Sequence, residues 1–331
     1  MSQTRFWTCL LLAALLGLAG CGEEAEQPSE PEFDPAEARL AVQRAGEPLS
    51  DLRGGVDVEA VLADVREVAD RYPDYAPAQV LLAQALLLTE HKDRALAALE
   101  RALELDPEQP DVHDLAGAVA LELDRPDRAI EHFNRALDLA PERGTFRVHL
   151  AKAQMDAGDL ETARLTLLEA LRFDASLHQA HAVLAELYAE QGQMGLALRE
   201  SREAIDLATE QDPDEREDYA LQRASLLRRG GEPAAAVAAL RELPSRMWFD
   251  EKVMTAFARS FDQLGRPEAA ARHYAEALEI DPTRAGAAAG AARWYLEAGE
   301  LDKARQMIGR LRRINPRHPD LPELETSLEA Q

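Results

Sequence analysis

One phrase recurs along the chain: RALELDP at Arg101 to Pro107, RALDLAP from Arg135, EALRFDA from Glu169, EAIDLAT from Glu203, EALEIDP from Glu276 and RLRRINP from Arg310. Four of the five intervals are 34 residues, and the fifth, 73, is two periods plus five. A unit this short cannot bury its apolar face alone, so it must stack on copies of itself. The fold is therefore an array, and a length of 331 residues says little about domain number.

Numbering each unit from 34 residues gives starts at Ala76, Pro110, Gly144, His178, about Glu217, Glu251 and Ala285. The eighth position is then always small (Ala83, Gly117, Ala151, Ala185, Ala224, Ala258, Ala292), and the twentieth is always alanine, from Ala95 to Ala304. Between them fall turns such as AGDL (Ala157 to Leu160) and LGRP (Leu264 to Pro267), where glycine supplies the positive φ that ends a helix. The spacing predicts two short helices, A and B, whose axes approach closely at the small residues. Large residues at position 24 (Leu99, Phe133, Leu167, Tyr274, Ile308) and apolar ones at position 30 (Leu105, Leu139, Phe173, Leu207, Ile280, Ile314) are expected to fill the space towards the next unit. Pro107, Pro141, Pro282 and Pro316 at position 32 disfavour helix in the preceding residue, so RALELDP is the closing device of a B helix.

The pattern resembles the tetratricopeptide repeat family, whose consensus has small residues at 8, 20 and 27, large ones at 4, 7, 11 and 24, and Pro at 32. Seven such repeats would cover residues 76–318. Position 4 is rarely aromatic here, the fourth repeat has Thr209 in place of Pro, and the fifth ends early at ELP and continues through SRMWFD. Residues 39–75 read as a degenerate helical cap and residues 319–331 as a polar capping helix. The resemblance implies an all-α, right-handed superhelical solenoid with a concave groove lined mainly by the A helices.

The N-terminus carries a second signal. Arg5 precedes an uncharged, mainly apolar run from Phe6 to Gly20. As a helix this run would span about 22 Å, short of the roughly 30 Å hydrocarbon core, so residues 1–20 read as a secretory signal. LAGC (Leu18 to Cys21) resembles the lipobox of bacterial lipoproteins, which implies acylation of Cys21 and cleavage just before it. Cys9 would leave with the signal, excluding intrachain disulfides and thiol catalysis. Residues 21–38, rich in acids and proline with no base, read as a disordered tether. Gly22 is not the Asp that marks inner-membrane retention in that family, so the resemblance favours the inner leaflet of the outer membrane.

Aromatics make up only 5% of the chain, so alanine and leucine must supply most of the core. The net charge of −24 disfavours nucleic acid and anionic membrane surfaces as partners of the body. No phosphate-binding glycine pattern or catalytic constellation appears, and no cofactor or metal is expected. The one His pair on a shared helix face, His178 and His181, lacks a Cys or fixed carboxylate partner. A non-enzymatic protein is expected.

The family resemblance assigns ligand contacts chiefly to positions 2, 5, 9, 12 and 13 of helix A. On this chain the early units then offer Val80, Gln84, Leu87, Leu88 and Lys152, and the later ones Arg228, Arg229, Lys252, Arg259 and Arg293. With Asp114, Glu122, Glu186 and Glu190 also at these positions, such a groove runs from apolar and weakly acidic to basic; the competing reading is that these arginines only pair with nearby acids such as Asp262 and Glu297. The family's clamp for a peptide C-terminus needs asparagines that are missing here: Gln84 and Ala118 stand at position 9, and Leu115 at position 6. The expectation is an envelope scaffold, membrane-anchored through Cys21, whose groove grips an envelope protein during assembly or export, as in type IV pilus or exopolysaccharide machinery. The alternative is an adaptor that recruits a cell-wall hydrolase or glycosyl polymerase.

Overall fold

A computed structural model describes residues 34–50, 57–208, 213–244, 247 and 250–330. The expected signal segment, Cys21 and all but the end of the tether lie outside these residues. So does Thr209. Among the described residues there are 17 helices and no strand. Two precede the aligned repeats, α1 (Pro35–Ser50) and α2 (Val58–Arg71). The repeats then supply α3 (Ala76–Leu88) with α4 (Lys92–Leu105), α5 (Pro110–Glu122) with α6 (Pro126–Leu139), and α7 (Gly144–Asp156) with α8 (Leu160–Phe173). They continue as α9 (His178–Glu190) with α10 (Met194–Leu207), α11 (Pro213–Arg229) with α12 (Pro233–Arg241), α13 (Glu251–Gln263) with α14 (Pro267–Ile280), and α15 (Ala285–Glu297) with α16 (Leu301–Ile314). Helix α17 (Leu321–Glu329) follows. The chain is an all-α solenoid of helix pairs and divides into two compact units, one ending at Ala175 and the other beginning at Ser176.

Packing within each pair follows the small residues. All seven side chains at position 20, and the six alanines at position 8, are buried. At Gly117, the seventh case, an added Cβ would lie 2.7 Å from the Phe133 ring. Phe133 and the other large position-24 residues are buried too, so a small residue on one helix and a large one on its neighbour form a single contact. The turns share one geometry. Position 15 takes positive φ in every unit, through Gly158, Gly192, Gly231, Gly265 and Gly299, and without glycine at Glu90 (φ 60°) and Asp124 (φ 58°). B helices close on an extended residue ahead of proline: Asp106 (φ −142°, ψ 95°), Asp281 (φ −124°, ψ 98°) and Asn315 (φ −143°, ψ 92°).

Three expectations are corrected. Phe173 and Ile280 do not fill the space towards the next unit: they are 67% and 42% exposed, and the Arg147 guanidinium covers the Phe173 ring at 4.6 Å. Pro35 to Ala38, assigned to the tether, form the first turn of α1; Asp34 accepts from the Ala36 N–H, and Ala38 is buried. The fifth unit's first helix starts at Pro213 and not near Glu217, which is itself buried.

Candidate functional site

In the second unit, α11 packs on α13, and together with the start of α15 they line a cavity of about 430 Å³. The charged side chains of its wall sort by position along the helices. Towards the N-terminal ends stand Asp218, Glu251, Lys252 and Arg284, and one helical stretch further on stand Arg228 and Arg259. The first group is internally paired: Lys252 Nζ lies 3.9 Å from Asp218, and Arg284 binds Glu251. The second group is not. Arg228 and Arg259 make no ion pair or hydrogen bond with the described residues, Asp262 and Glu297 included. Burial, followed by the neighbouring Arg259 charge, holds the Arg228 guanidinium below its ordinary pKa. Hydroxyls of Ser225, Thr255 and Ser260 complete the wall. The buried Thr255 Oγ1 has no hydrogen-bond partner among the described residues.

Two unpaired cations in a chain of net charge −24 make this cavity an anion-receptive surface. Of the other sequence-assigned residues only Lys252 joins it, at the paired end. Arg293 lies outside the cavity and donates to Asp320 at 2.9 Å. Arg229 is exposed, and its Nη2 donates to the Ala189 carbonyl at 3.4 Å. In the first unit Val80 and Gln84 are 5% and 3% exposed, so neither offers a surface to a partner. Positions 5 and 9 of α3 face inward there because α3 is apolar nearly all round. Leu87 and Leu88 are half-buried and Lys152 is exposed. Cys21 lies outside the described residues. Sequence reasoning missed Arg284, Glu251 and the three hydroxyls. Arg284 stands at the last position of its unit, where the groove rule does not look.

His178 and His181 face different partners: His178 Nδ1 lies 3.0 Å from the Tyr219 hydroxyl, and His181 Nδ1 lies 2.8 Å from Glu200. No metal-binding cluster of three or more His, Cys, Asp or Glu occurs among the described residues. No helix there is long and apolar enough to cross a membrane.

A family model described as Tetratricopeptide repeat matches residues 57–119, 120–187 and 263–328, over half of the chain. The interval between the matches, 188–262, holds the longer α11 and the short α12. A comparison with curated proteins finds no match. Among solved structures, a chain of the Cut9–Hcn1 hetero-tetramer of the APC/C is similar at 15% identity and a TM-score of 0.55; the alignment covers 89% of this chain and 57% of that one. This chain thus spans little more than half of that relative's length. A tetratricopeptide repeat protein from Parabacteroides merdae is similar at 13% identity and a TM-score of 0.59, over 74% of this chain and 94% of that one. PilW, a widely conserved type IV pilus biogenesis factor, is similar at 19% identity and a TM-score of 0.54, over 66% and 97%. At these identities the likeness is one of fold.

Proposed function

The chain belongs to the tetratricopeptide repeat family, and we propose that it is a non-enzymatic scaffold of the bacterial envelope, anchored through Cys21 and gripping a segment of an envelope protein. The observation that carries the gripping role is the cavity between α11, α13 and α15, where Arg228 and Arg259 form no ion pair with the described residues. Bringing two guanidiniums together unpaired opposes folding, and an arriving anion relieves that cost. The envelope address rests on the sequence: an apolar run with a preceding Arg5, ended by LAGC. Assembly or export of a type IV pilus or exopolysaccharide machine is the setting that we favour for a lipoprotein of this architecture.

Site-specific photo-crosslinking tests the reading. A photoreactive amino acid at Ser225, in the cavity wall, should capture one envelope protein in intact cells. The same group at Arg313, exposed on α16, should not. A captured pilus or polysaccharide-export component supports the assembly role, and a captured hydrolase or glycosyltransferase would support an adaptor instead. Capture of the same protein with equal yield at both positions would place recognition elsewhere.

A further inference from the structure

The cavity between α11, α13 and α15 carries six charged side chains, four cationic and two anionic. Lys252 lies beside Asp218 and Arg284 binds Glu251, so a surplus of two positive charges rests on Arg228 and Arg259. These two stand on different helices, and each has a hydroxyl one turn before it. Ser225 precedes Arg228 by three residues on α11, and Thr255 precedes Arg259 by four on α13, spacings that place each pair on one helix face. A helical hydroxyl commonly donates to a carbonyl of the preceding turn, as Ser260 does to Ala256 at 2.7 Å in the same wall. Neither Ser225 nor Thr255 does so, and neither has another hydrogen-bond partner among the described residues. Two helices thus each present an unpaired guanidinium with an unused hydroxyl beside it. The space next to Arg259 Nη2 is open: a Cβ added at Gly286, in the first turn of α15, would stand 3.8 Å from it and meet nothing else within 4 Å.

We propose that this site recognises two carboxylates at once, carried at positions i and i+2 of an extended partner segment, one received by Arg228 with Ser225 and the other by Arg259 with Thr255. The charge surplus sets the number, because a single carboxylate would leave one guanidinium uncompensated. Each carboxylate can accept from a guanidinium fork and still have an acceptor site for the hydroxyl. The layout of the helices sets the spacing. Side chains at i and i+2 of an extended segment point the same way about 7 Å apart, while those of adjacent residues point oppositely. The axes of packed helices such as α11 and α13 stand about 8 to 10 Å apart, so a same-side pair meets both arginines and an adjacent pair meets one. The inference rests on the groove reading above and deepens it by fixing the number and spacing of the acidic groups.

The test uses the full chain and fluorescein-labelled peptides in a Gly-Ser background, followed by fluorescence anisotropy. The peptides carry Glu-Ser-Glu, Glu-Glu, a single Glu, or Gln-Ser-Gln. Glu-Ser-Glu should bind about tenfold or more tightly than the single glutamate, and adjacent Glu-Glu should stay close to the single one. Arg228→Gln and Arg259→Gln, made separately, should each bring Glu-Ser-Glu down to the affinity of the single glutamate. Gly286→Leu should act like Arg259→Gln, because leucine fills the space beside Nη2, with helix content unchanged. If the single glutamate or the adjacent pair binds as tightly as Glu-Ser-Glu, and the two arginine changes combined still abolish that binding, the two-carboxylate inference is wrong and the groove reading stands. If Glu-Ser-Glu binds no better than Gln-Ser-Gln, or the combined arginine variant binds like the wild type, the groove reading itself fails. A peptide with one phosphoserine that binds as tightly as Glu-Ser-Glu would make the ligand one dianionic phosphoryl group and overturn the carboxylate pair.

Discussion

Gly290 on α15 and Tyr274 on α14 occupy one space: no side chain fits at residue 290 while the tyrosine ring lies where it does. The first prediction follows from that contact. Gly290→Ala must displace a buried ring or push the two helices apart, costing about 1 to 3 kcal/mol in a denaturant titration. Gly309, within α16, has nothing within 4 Å of an added Cβ, so Gly309→Ala should be neutral or stabilise by up to about 1 kcal/mol. Equal effects would mean that the ring does not sit under α15.

Glu90 and Asp124 hold the backbone conformation that five glycines hold in the other turns. A side chain in the left-handed region costs roughly 1 kcal/mol, less for Asp than for Glu. Glu90→Gly should therefore stabilise the first unit by up to about that amount, and Asp124→Gly by less. Gly158→Ala, at φ 83°, should do the reverse. Thermal melts of the three variants decide it.

His113 and His132 meet at 3.3 Å between their Nδ1 atoms, and burial holds both below the ordinary imidazole pKa. Around them stand the Pro107 carbonyl, Glu100, Arg128, Glu131 and Arg135. Because the folded values are depressed, the unfolded chain takes up protons first as pH falls. Stability is full above the unfolded value of about 6.5 and is lost as pH drops through the lower folded values. Melting temperature measured from pH 8 to 5 should fall below about 6.5, and His132→Gln should flatten the slope. A melt that rises over that range would contradict the burial of the pair.

The helix pairs were legible because their determinants are local and recur: alanine where helices cross, a turn residue at position 15, proline at position 32 of four units. What the period could not supply was direction. Val80 and Gln84 sit at groove positions yet are buried, because a first helix rich in alanine and leucine packs on both flanks. Arg259 and Arg293 share position 9, yet only Arg293 finds a carboxylate, that of Asp320 just ahead of the capping helix α17 and outside the repeat. Tyr274 matched the core rule, and nothing in its own repeat reveals that its ring lies against Gly290, 16 residues on. The start of α11 at Pro213 was hidden by the five-residue departure from the period, which leaves the alignment no phase there.

The anchor makes its own prediction. Metabolic labelling with a fatty-acid probe should mark the wild type and not Cys21→Ser, which should also change the processing of residues 1–20. Equal labelling of both would remove the membrane anchor from the account.

The central claim is that the cationic end of the cavity holds the partner, and charge reversal there tests it most directly. With the photoreactive group at Ser225, the crosslinked product should largely disappear in Arg228→Glu combined with Arg259→Glu, while helix content and melting temperature stay close to wild type. It should persist when Arg312 and Arg313 on α16, which lie away from the cavity, are both changed to Glu. Capture that survives reversal of Arg228 and Arg259, or that is lost as fully with Arg312 and Arg313, would contradict the claim.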